Sequence, residues 1–213
     1  MRKSGCAALF AVCLVATPVV SAGDLFINGQ FGRIELDSGF GSAKTNLVQA
    51  SAGYRWGIGM AQVGLEAGFG KPGDQQGKAR TNFAGGHVAH DYTLSSRYGF
   101  VGANARIKPP LVPVYFIGRA GYLGMQRTLD ETATFHSLTA APVTERREFK
   151  EHDGGTYVGA GVGTTLLPLL DIGLMLGQYR HAPIEYDPSD DEFHLSDRKR
   201  AAPSVSLSVE YRF

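Results

Sequence analysis

The chain has 213 residues, of which 43% are hydrophobic and 19% charged, and its 21 lysines and arginines nearly balance 20 acidic residues. This balance leaves no bulk positive charge for binding nucleic acid, so we expect no nucleic-acid partner. The length suits a single domain, and no linker-like stretch divides it.

The N-terminus has the layout of a secretory signal peptide. Arg2 and Lys3 precede an uninterrupted apolar run at residues 6–15, and small residues follow at the spacing of a signal-peptidase site. The run is too short for a membrane-spanning helix, which needs about 20 apolar residues. We therefore predict cleavage of residues 1–22. Residues 23–213 keep 21 minus 2, or 19, basic residues against 20 acidic ones and neither cysteine, so no disulfide is expected.

Three segments of alternating polarity follow. The first lies near residues 24–34, and the turn sequence GIG separates the second from the third. In each, apolar side chains recur at every second position, which is the period of a β-strand with one apolar face. The apolar faces of the second and third segments are made by Val48, Ala50, Ala52, Tyr54 and Trp56, and by Ala61, Val63, Leu65, Ala67 and Phe69.

Two further pairs of strands are predicted downstream. In the first strand of these pairs, the pattern places Leu94, Tyr98 and Phe100 on the apolar face, opposite Arg97 and Gly99. The turn KPPLVP leads to the next strand. The apolar stretch at residues 158–176 is predicted to form a hairpin with the turn LPLLD, because proline and aspartate near its middle disfavour a membrane-spanning helix.

The chain ends in a strand with strict alternation, which brings the number of predicted strands to about eight. Its apolar face is made by Val205, Leu207, Val209, Tyr211 and Phe213. A soluble sandwich would bury such a face in its core, whereas a membrane barrel turns it outward to lipid.

The connections between these strands alternate between short and long. The three turns GIG, KPPLVP and LPLLD are brief, while long polar stretches lie at residues 35–46, 71–91, 124–155 and 182–202. An outer-membrane barrel segregates its loops in this way. The sequence therefore predicts an all-β fold, a closed antiparallel transmembrane β-barrel of about eight strands with short periplasmic turns and long extracellular loops.

The segments YFIGRAGYLGM, YVGAGVGTTL and VSLSVEYRF carry a resemblance to the small outer-membrane barrels of the OmpA transmembrane-domain type from Gram-negative bacteria. The resemblance implies location in the cell outer membrane. It also implies that Tyr211 and Phe213 belong to a C-terminal signal read by the barrel-insertion machinery; as an alternative, they only anchor the last strand at the membrane interface. The peptidoglycan-binding domain of full-length members is not found, so tethering to the cell wall is not expected.

Five charged side chains fall on the predicted inward face: Arg55, Glu66, Arg97, Arg119 and Glu210. Charges inside a narrow barrel must pair or be hydrated, since an isolated buried charge is costly. We interpret them as an ion-pair network that plugs the lumen. The alternative is a charged constriction in a narrow pore.

The predicted loops hold three weaker candidate sites. The sequence GHVAHD offers His87, His90 and Asp91 as metal ligands, although no helix orients them. His194 and Ser196 in FHLS resemble the His-x-Ser arrangement of outer-membrane lipid A deacylases. Two basic groups are candidates for contacting lipopolysaccharide phosphates, and they comprise Arg146, Arg147, Lys150, Arg198, Lys199 and Arg200.

These observations favour a non-catalytic function. We predict a barrel that contributes to envelope integrity and to surface contact or adhesion through its extracellular loops, with a host or other cell-surface ligand bound there. A narrow pore for small solutes is the second hypothesis, and a lipid A-modifying enzyme the third. We predict no catalytic residue, metal or cofactor.

Overall fold

The computed structural model describes residues 20–38, 41–137, 141–187 and 192–213. Most of the predicted signal peptide lies outside the described residues, so its cleavage after Ala22 stays a prediction. The strands are β1 (Val20–Ser38), β2 (Gly41–Ile58), β3 (Ala61–Pro72), β4 (Gln75–Phe83), β5 (Gly86–Ile107), β6 (Val114–Ser137), β7 (Val143–Leu167), β8 (Leu170–His181), β9 (Ile184–Asp187), β10 (Glu192–Leu195) and β11 (Arg200–Arg212).

Eight of these strands close into an antiparallel barrel, as the sequence predicts. Neighbours along the chain pair with one another, β1 pairs with β11, and β3 pairs with β5 to complete the ring. The strand β4 continues the direction of β3 beyond its end and pairs with β5 alone, while β9 and β10 form a separate hairpin. Closure matters because a sheet edge in lipid would leave backbone groups without partners.

The short turns lie at one end of the barrel. The first turn is formed by Gly59 and Met60. Gly59 has a backbone φ of 61°, a value that residues with a side chain seldom adopt. The turn between β5 and β6 contains Leu111, also at positive φ. At the same end, the Phe213 amide donates to the Leu25 carbonyl at 2.9 Å. By the pattern of outer-membrane barrels, this is the periplasmic end.

The opposite end of the molecule contains more β-strand than the sequence analysis predicts. Residues 71–91 and 124–155 were expected to be loops, but β4, β5, β6 and β7 run through most of them. β5 and β6 pair from Gly86↔Ser137 onward, above the barrel wall, and β4 and β7 pair along their outer sides. The prediction was wrong here because it looked for an apolar outward face, and strands that lie above the membrane, with water on much of both faces, need none.

The outer wall of the barrel is an apolar belt. From Val205 to the C-terminus, Val205, Leu207, Tyr211 and Phe213 are exposed, while the polar side chains between them are turned inward. At about 3.3 Å per residue and a tilt of about 40°, this stretch covers roughly 20 Å of height, close to the apolar band of a membrane barrel. None of the described segments is a helix that could cross a membrane.

One strand has its faces reversed relative to the prediction. In β5, Leu94, Tyr98 and Phe100 are buried inside the barrel, whereas Arg97 and Gly99 are exposed on the outer wall. The reason lies in inward glycines of β3: a Cβ at Gly68 would come within 2.6 Å of the Phe100 ring, and one at Gly70 within 2.3 Å of Tyr98. The barrel therefore has room for large rings beside β3.

Candidate functional site

A layer of buried charges crosses the lumen near the short turns. Its centre is the carboxylate of Glu210, which meets three guanidinium groups. Arg55 donates to both carboxylate oxygens, through Nη1 and, at 2.9 Å, through Nη2. Arg106 Nη1 lies 3.3 Å from Oε1, and Arg119 Nη2 lies 3.8 Å from Oε2. One acidic side chain of the last strand thus joins charges from β2, β5 and β6.

Two further carboxylates balance these arginines. Asp171 accepts a hydrogen bond from Arg106 Nη1 at 2.6 Å and lies 3.0 Å from Arg212 Nε. Glu66 lies 3.6 Å from Arg119 Nε. Because every charge in the layer has an oppositely charged neighbour, Coulomb attraction offsets the cost of removing these groups from water.

Inward glycines make room for this layer. A Cβ at Gly64 would lie 2.7 Å from Arg55 Cγ, and one at Gly163 would lie 2.4 Å from the Tyr115 ring. Tyr115 in turn packs against Arg106, whose guanidinium carbon stands 3.7 Å from the ring centroid. Small residues on some strands therefore let long side chains on others reach across the barrel.

Aromatic side chains fill the lumen above the charged layer. The Tyr98 and Tyr179 rings lie 5.5 Å apart, and both hydroxyls donate to Gln49 Oε1, at 2.7 and 2.9 Å. The Tyr157 hydroxyl donates to Glu66 at 2.9 Å and so links the two layers. The cavity beside these rings measures about 20 Å³, which is room for about one water molecule. At this level the lumen is filled by side chains.

The structure brings four of the five predicted interior charges together and places the fifth, Arg97, on the outer wall. Arg55, Glu66, Arg119 and Glu210 all belong to the buried layer. Arg97 does not: its guanidinium is outside the barrel, where Nε and Nη2 donate to Gln126 Oε1 at 2.9 and 2.6 Å. The parity of β5 explains the correction, since Arg97 alternates with the inward Tyr98.

Sequence analysis missed two members of the layer, Arg106 and Asp171. The alternation in β5 continues to Ile107, and following it past Phe100 places Arg106 on the inward face with Asn104. Asp171 was read as part of a turn, but β8 starts one residue earlier. For Asp171 the signal was the period of two, extended to the start of the strand. For Arg106 it was the apolar alternation of Val101, Ala103, Ala105 and Ile107, which marks the odd positions of β5 as outward and so conflicts with the face predicted from Leu94, Tyr98 and Phe100.

The two aromatic residues of the predicted assembly signal lie on the outer wall at the periplasmic end. Tyr211 and Phe213 are 44% and 61% exposed, and their rings meet edge to face with centroids 5.0 Å apart. Exposed aromatic rings at this end of the barrel match the aromatic girdle of membrane barrels. Recognition by the insertion machinery remains a prediction.

Above the outer wall, β4, β5, β6 and β7 form a four-stranded sheet that we call the protruding sheet. It comprises residues 75–83, 86–96, 127–137 and 143–153. Its two outer strands each pair on one side within the described residues, because β4 has a ladder with β5 alone and the β7–β8 ladder begins only at Thr156. Unpaired strand edges offer backbone donors and acceptors to another chain.

The protruding sheet has a small apolar cluster of its own. Leu94 and Leu129 are buried, and Tyr92 and Phe149 pack against them. Its remaining surface is mainly polar, with residues 78–83 and 143–148 exposed, and it includes the exposed side chains of Phe83, Phe135 and Val143. Surface ion pairs such as Arg147–Glu145, at 3.2 Å, lie along it. The cluster gives the sheet a defined shape while its edges and outer face meet solvent.

The histidines of the predicted metal site are separated in this sheet. His87 stacks on His136 with ring centroids 4.6 Å apart, whereas His90 Nδ1 lies 2.8 Å from Glu131. Asp91 is engaged by Lys78 at 3.2 Å. Among the described residues no cluster of three metal-ligating side chains occurs.

The other loop candidates are only partly described. The Ser196 hydroxyl accepts a hydrogen bond from the Arg198 amide at 3.3 Å, and the side chain of His194 lies outside the described residues. Lys199 donates to the carbonyl of Gly154 on β7. Arg146 and Lys150 are exposed on the protruding sheet.

A family model of the outer membrane protein beta-barrel domain matches residues 4–213.

The chain is also similar, at low sequence identity, to several solved structures. Neisserial surface protein A shares 17% identity with a TM-score of 0.48, over 91% of this chain and 100% of that chain. Ail, the attachment invasion locus protein of Yersinia pestis, crystallised with the heparin analogue sucrose octasulfate, shares 16% with a TM-score of 0.44, over 90% and 97%. The N-terminal barrel domain of Pseudomonas aeruginosa OprF shares 12% with a TM-score of 0.42, over 89% and 97%. No curated protein sequence matches this chain.

Proposed function

Since this chain belongs to the outer membrane protein β-barrel family, we propose that it is a non-catalytic protein of the cell outer membrane that makes surface contacts through the protruding sheet. The barrel anchors that sheet and contributes to envelope integrity. The partner is a host or other cell-surface ligand outside the cell, and the barrel-insertion machinery reads Tyr211 and Phe213 during assembly.

The observation that carries this proposal is the contrast between a filled lumen and an exposed, ordered outer sheet. Solutes have little space inside, because buried charges and tyrosines occupy the interior. The protruding sheet instead offers two strand edges and a polar face to the outside. Extended peptide segments add to such edges through backbone hydrogen bonds.

A trimmed variant tests the proposal. In the strand register, Lys78 lies opposite Asp91 in the β4–β5 ladder, and Glu131 lies opposite Arg147 in the β6–β7 ladder. The two-residue turn Asn-Gly can therefore replace residues 79–90 and residues 132–146 without changing the register of the remaining strands. Cells displaying the trimmed protein should adhere to epithelial cell layers no better than cells lacking the protein. Their resistance to detergent should match that of cells with the intact protein, because the barrel is retained.

Removal of the separate β9–β10 hairpin is the matched control, since among the described residues β9 and β10 have a backbone ladder only with each other. Adherence that survives trimming of the sheet, or that depends on the β9–β10 hairpin instead, would contradict the proposed contact surface. Planar-bilayer recordings of the refolded protein address the pore hypothesis. Reproducible conductance steps that change in Arg119→Ala or Glu66→Ala would replace the contact function with a pore.

A further inference from the structure

A groove of about 840 Å³ runs across the outer wall on β3, β5, β6 and β7. Its floor is made of glycines that face one another on adjacent strands: Gly99 pairs with Gly124, and Gly124 pairs with Gly154. A Cβ at Gly124 or Gly154 would meet no atom within 4 Å. Packing inside the protein therefore does not require glycine here, in contrast to the inward glycines of the lumen.

The groove lies where the outer wall changes from apolar to charged. On the extracellular side of the glycine row, the next outward positions are Lys71, Arg97, Gln126 and His152, all of which line the groove. Phe69 borders the row on β3 and is 69% exposed. In a membrane barrel, the outward face changes from apolar to charged where the acyl chains of the lipid meet the headgroups.

The outward positions of the rim carry the positive charges of Arg97 and Lys71; the one carboxylate among the lining residues, Asp153, accepts a hydrogen bond from the Ala182 amide at 2.6 Å. Arg97 donates only to the neutral Gln126, and within the described residues no carboxylate lies at ion-pair distance from it. Lys71 lies 3.8 Å from Asp74, with both side chains exposed. Lys199 reaches the far end, where it donates to the Gly154 carbonyl. The rim therefore suits an anion at the membrane surface.

A second groove of about 550 Å³ begins one outward position closer to the periplasmic end and is lined by residues of β2, β3, β5 and β6, so it shares three strands with the first. Its lining is mainly apolar and includes Ala67, Val101 and Tyr122. Tyr122 is 73% exposed and forms a wall beside it. The two grooves together lead from a basic rim into the apolar belt, which is the layout of an anionic headgroup followed by a hydrocarbon chain.

We propose that these grooves bind one molecule of a phosphorylated, lipid A-type glycolipid of the outer leaflet. Arg97 and Lys71 bind a phosphate, and an acyl chain lies over Gly124 toward Tyr122. Guanidinium–phosphate hydrogen bonds are charge-assisted and directional, so Arg97 contributes most to affinity. The proposal depends on the barrel's position in the outer membrane and is independent of what the protruding sheet contacts.

Native mass spectrometry of the refolded full chain with added bis-phosphorylated lipid A tests the site. The intact protein should retain one lipid A molecule in preference to phosphatidylglycerol. Arg97→Ala should weaken retention roughly tenfold, as loss of a charge-assisted hydrogen bond implies. Gly124→Leu, which fills the groove from the outside, should weaken it similarly.

Two matched variants control for nonspecific effects. Arg33→Ala removes an exposed arginine from the outer wall of β1, away from the groove. Gly118→Leu adds a side chain to the same strand as Gly124 at another outward glycine with open space around it. Both should retain lipid A like the intact protein. Circular dichroism of all four variants checks that each is folded.

Three outcomes would overturn the proposal. If Arg97→Ala and Gly124→Leu both retain lipid A as well as the intact protein does, neither the rim nor the floor is the site. Equal retention of dephosphorylated lipid A or phosphatidylglycerol would identify ordinary annular lipid. A dimer that is lost in Gly124→Leu, without selective lipid retention, would show that a second copy of the chain covers the groove.

Discussion

Two Arg–Glu pairs in this molecule have similar chemistry and opposite surroundings. The Arg55–Glu210 pair lies in the lumen with side chains 1% and 3% exposed, while the Arg147–Glu145 pair lies on the protruding sheet with both 52% exposed. In the lumen, losing one partner leaves a charge that water cannot reach. On the sheet, water and salt replace a lost partner. The same residues therefore fix the barrel in one place and supply a solvated surface in the other.

The largest effect is expected from Glu210→Gln, which keeps the shape of the side chain and removes its charge. Three guanidinium groups, those of Arg55, Arg106 and Arg119, would then share too few carboxylates. Breaking a buried ion pair in this way costs about 3–5 kcal/mol of unfolding free energy. Urea unfolding of the refolded protein, followed by fluorescence of the single tryptophan Trp56, measures it.

The double variant Arg55→Met with Glu210→Gln serves as the internal control for that measurement. It removes one charge of each sign, so part of the lost stability should return. If Glu210→Gln alone unfolds at the same urea concentration as the intact protein, the buried layer does not stabilise the barrel.

The next largest effect on the unfolding free energy is expected from an inward glycine, which is compared with an outward one. Gly102 faces the lumen, where a Cβ would lie 2.2 Å from the Tyr157 hydroxyl and 2.4 Å from a backbone oxygen, whereas Gly118 faces outward with nothing within 4 Å. Gly102→Ala should lower the unfolding free energy by about 1–3 kcal/mol through overpacking. Gly118→Ala should be neutral or slightly stabilising, since alanine restricts the unfolded chain. The same urea experiment compares them, and equal midpoints would refute the steric argument.

A smaller effect is expected on the protruding sheet. Glu145→Gln removes the partner of Arg147, but both groups are half exposed, so the unfolding free energy should change by less than about 1 kcal/mol. Unfolding in low and high salt distinguishes the sites: the small effect of Glu145→Gln should vanish in high salt, while that of Glu210→Gln should persist. A large, salt-independent effect at Glu145 would mean that the sheet is covered.

The barrel could be predicted from sequence because lipid imposes a simple rule on one face. Val205 to Phe213 follow it without exception, and so the last strand, the fold and four of five inward charges were found. Arg97 was misplaced because β5 carries large apolar side chains on its inward face, where glycines of β3 accommodate them. No local pattern reveals that complementarity, since it depends on β3 becoming the neighbour of β5.

The protruding sheet was missed for a related reason. Its strands have water on much of both faces, so polar and apolar side chains do not alternate along them as they do in the belt. What holds the sheet together is pairing with neighbours and the cluster of Leu94, Leu129, Tyr92 and Phe149. These residues are far apart in sequence and meet only after β5, β6 and β7 have paired. Strand order therefore has to be known before this part of the fold can be predicted.

The smallest predicted effect concerns His87 at the tip of the protruding sheet. Its pKa is lowered from the usual value by loss of water contact and by the positive charges of Arg80 and His136. A lowered histidine pKa means that the folded sheet favours the neutral ring, so its contribution to stability is present above the usual pKa and lost as the pH falls. NMR titration should find a lower midpoint for His87 than for a free histidine, and Arg80→Ala should raise it. A midpoint unchanged by Arg80→Ala would show that the arginine charge does not act on the ring, and that even at this tip water screens neighbouring charges completely.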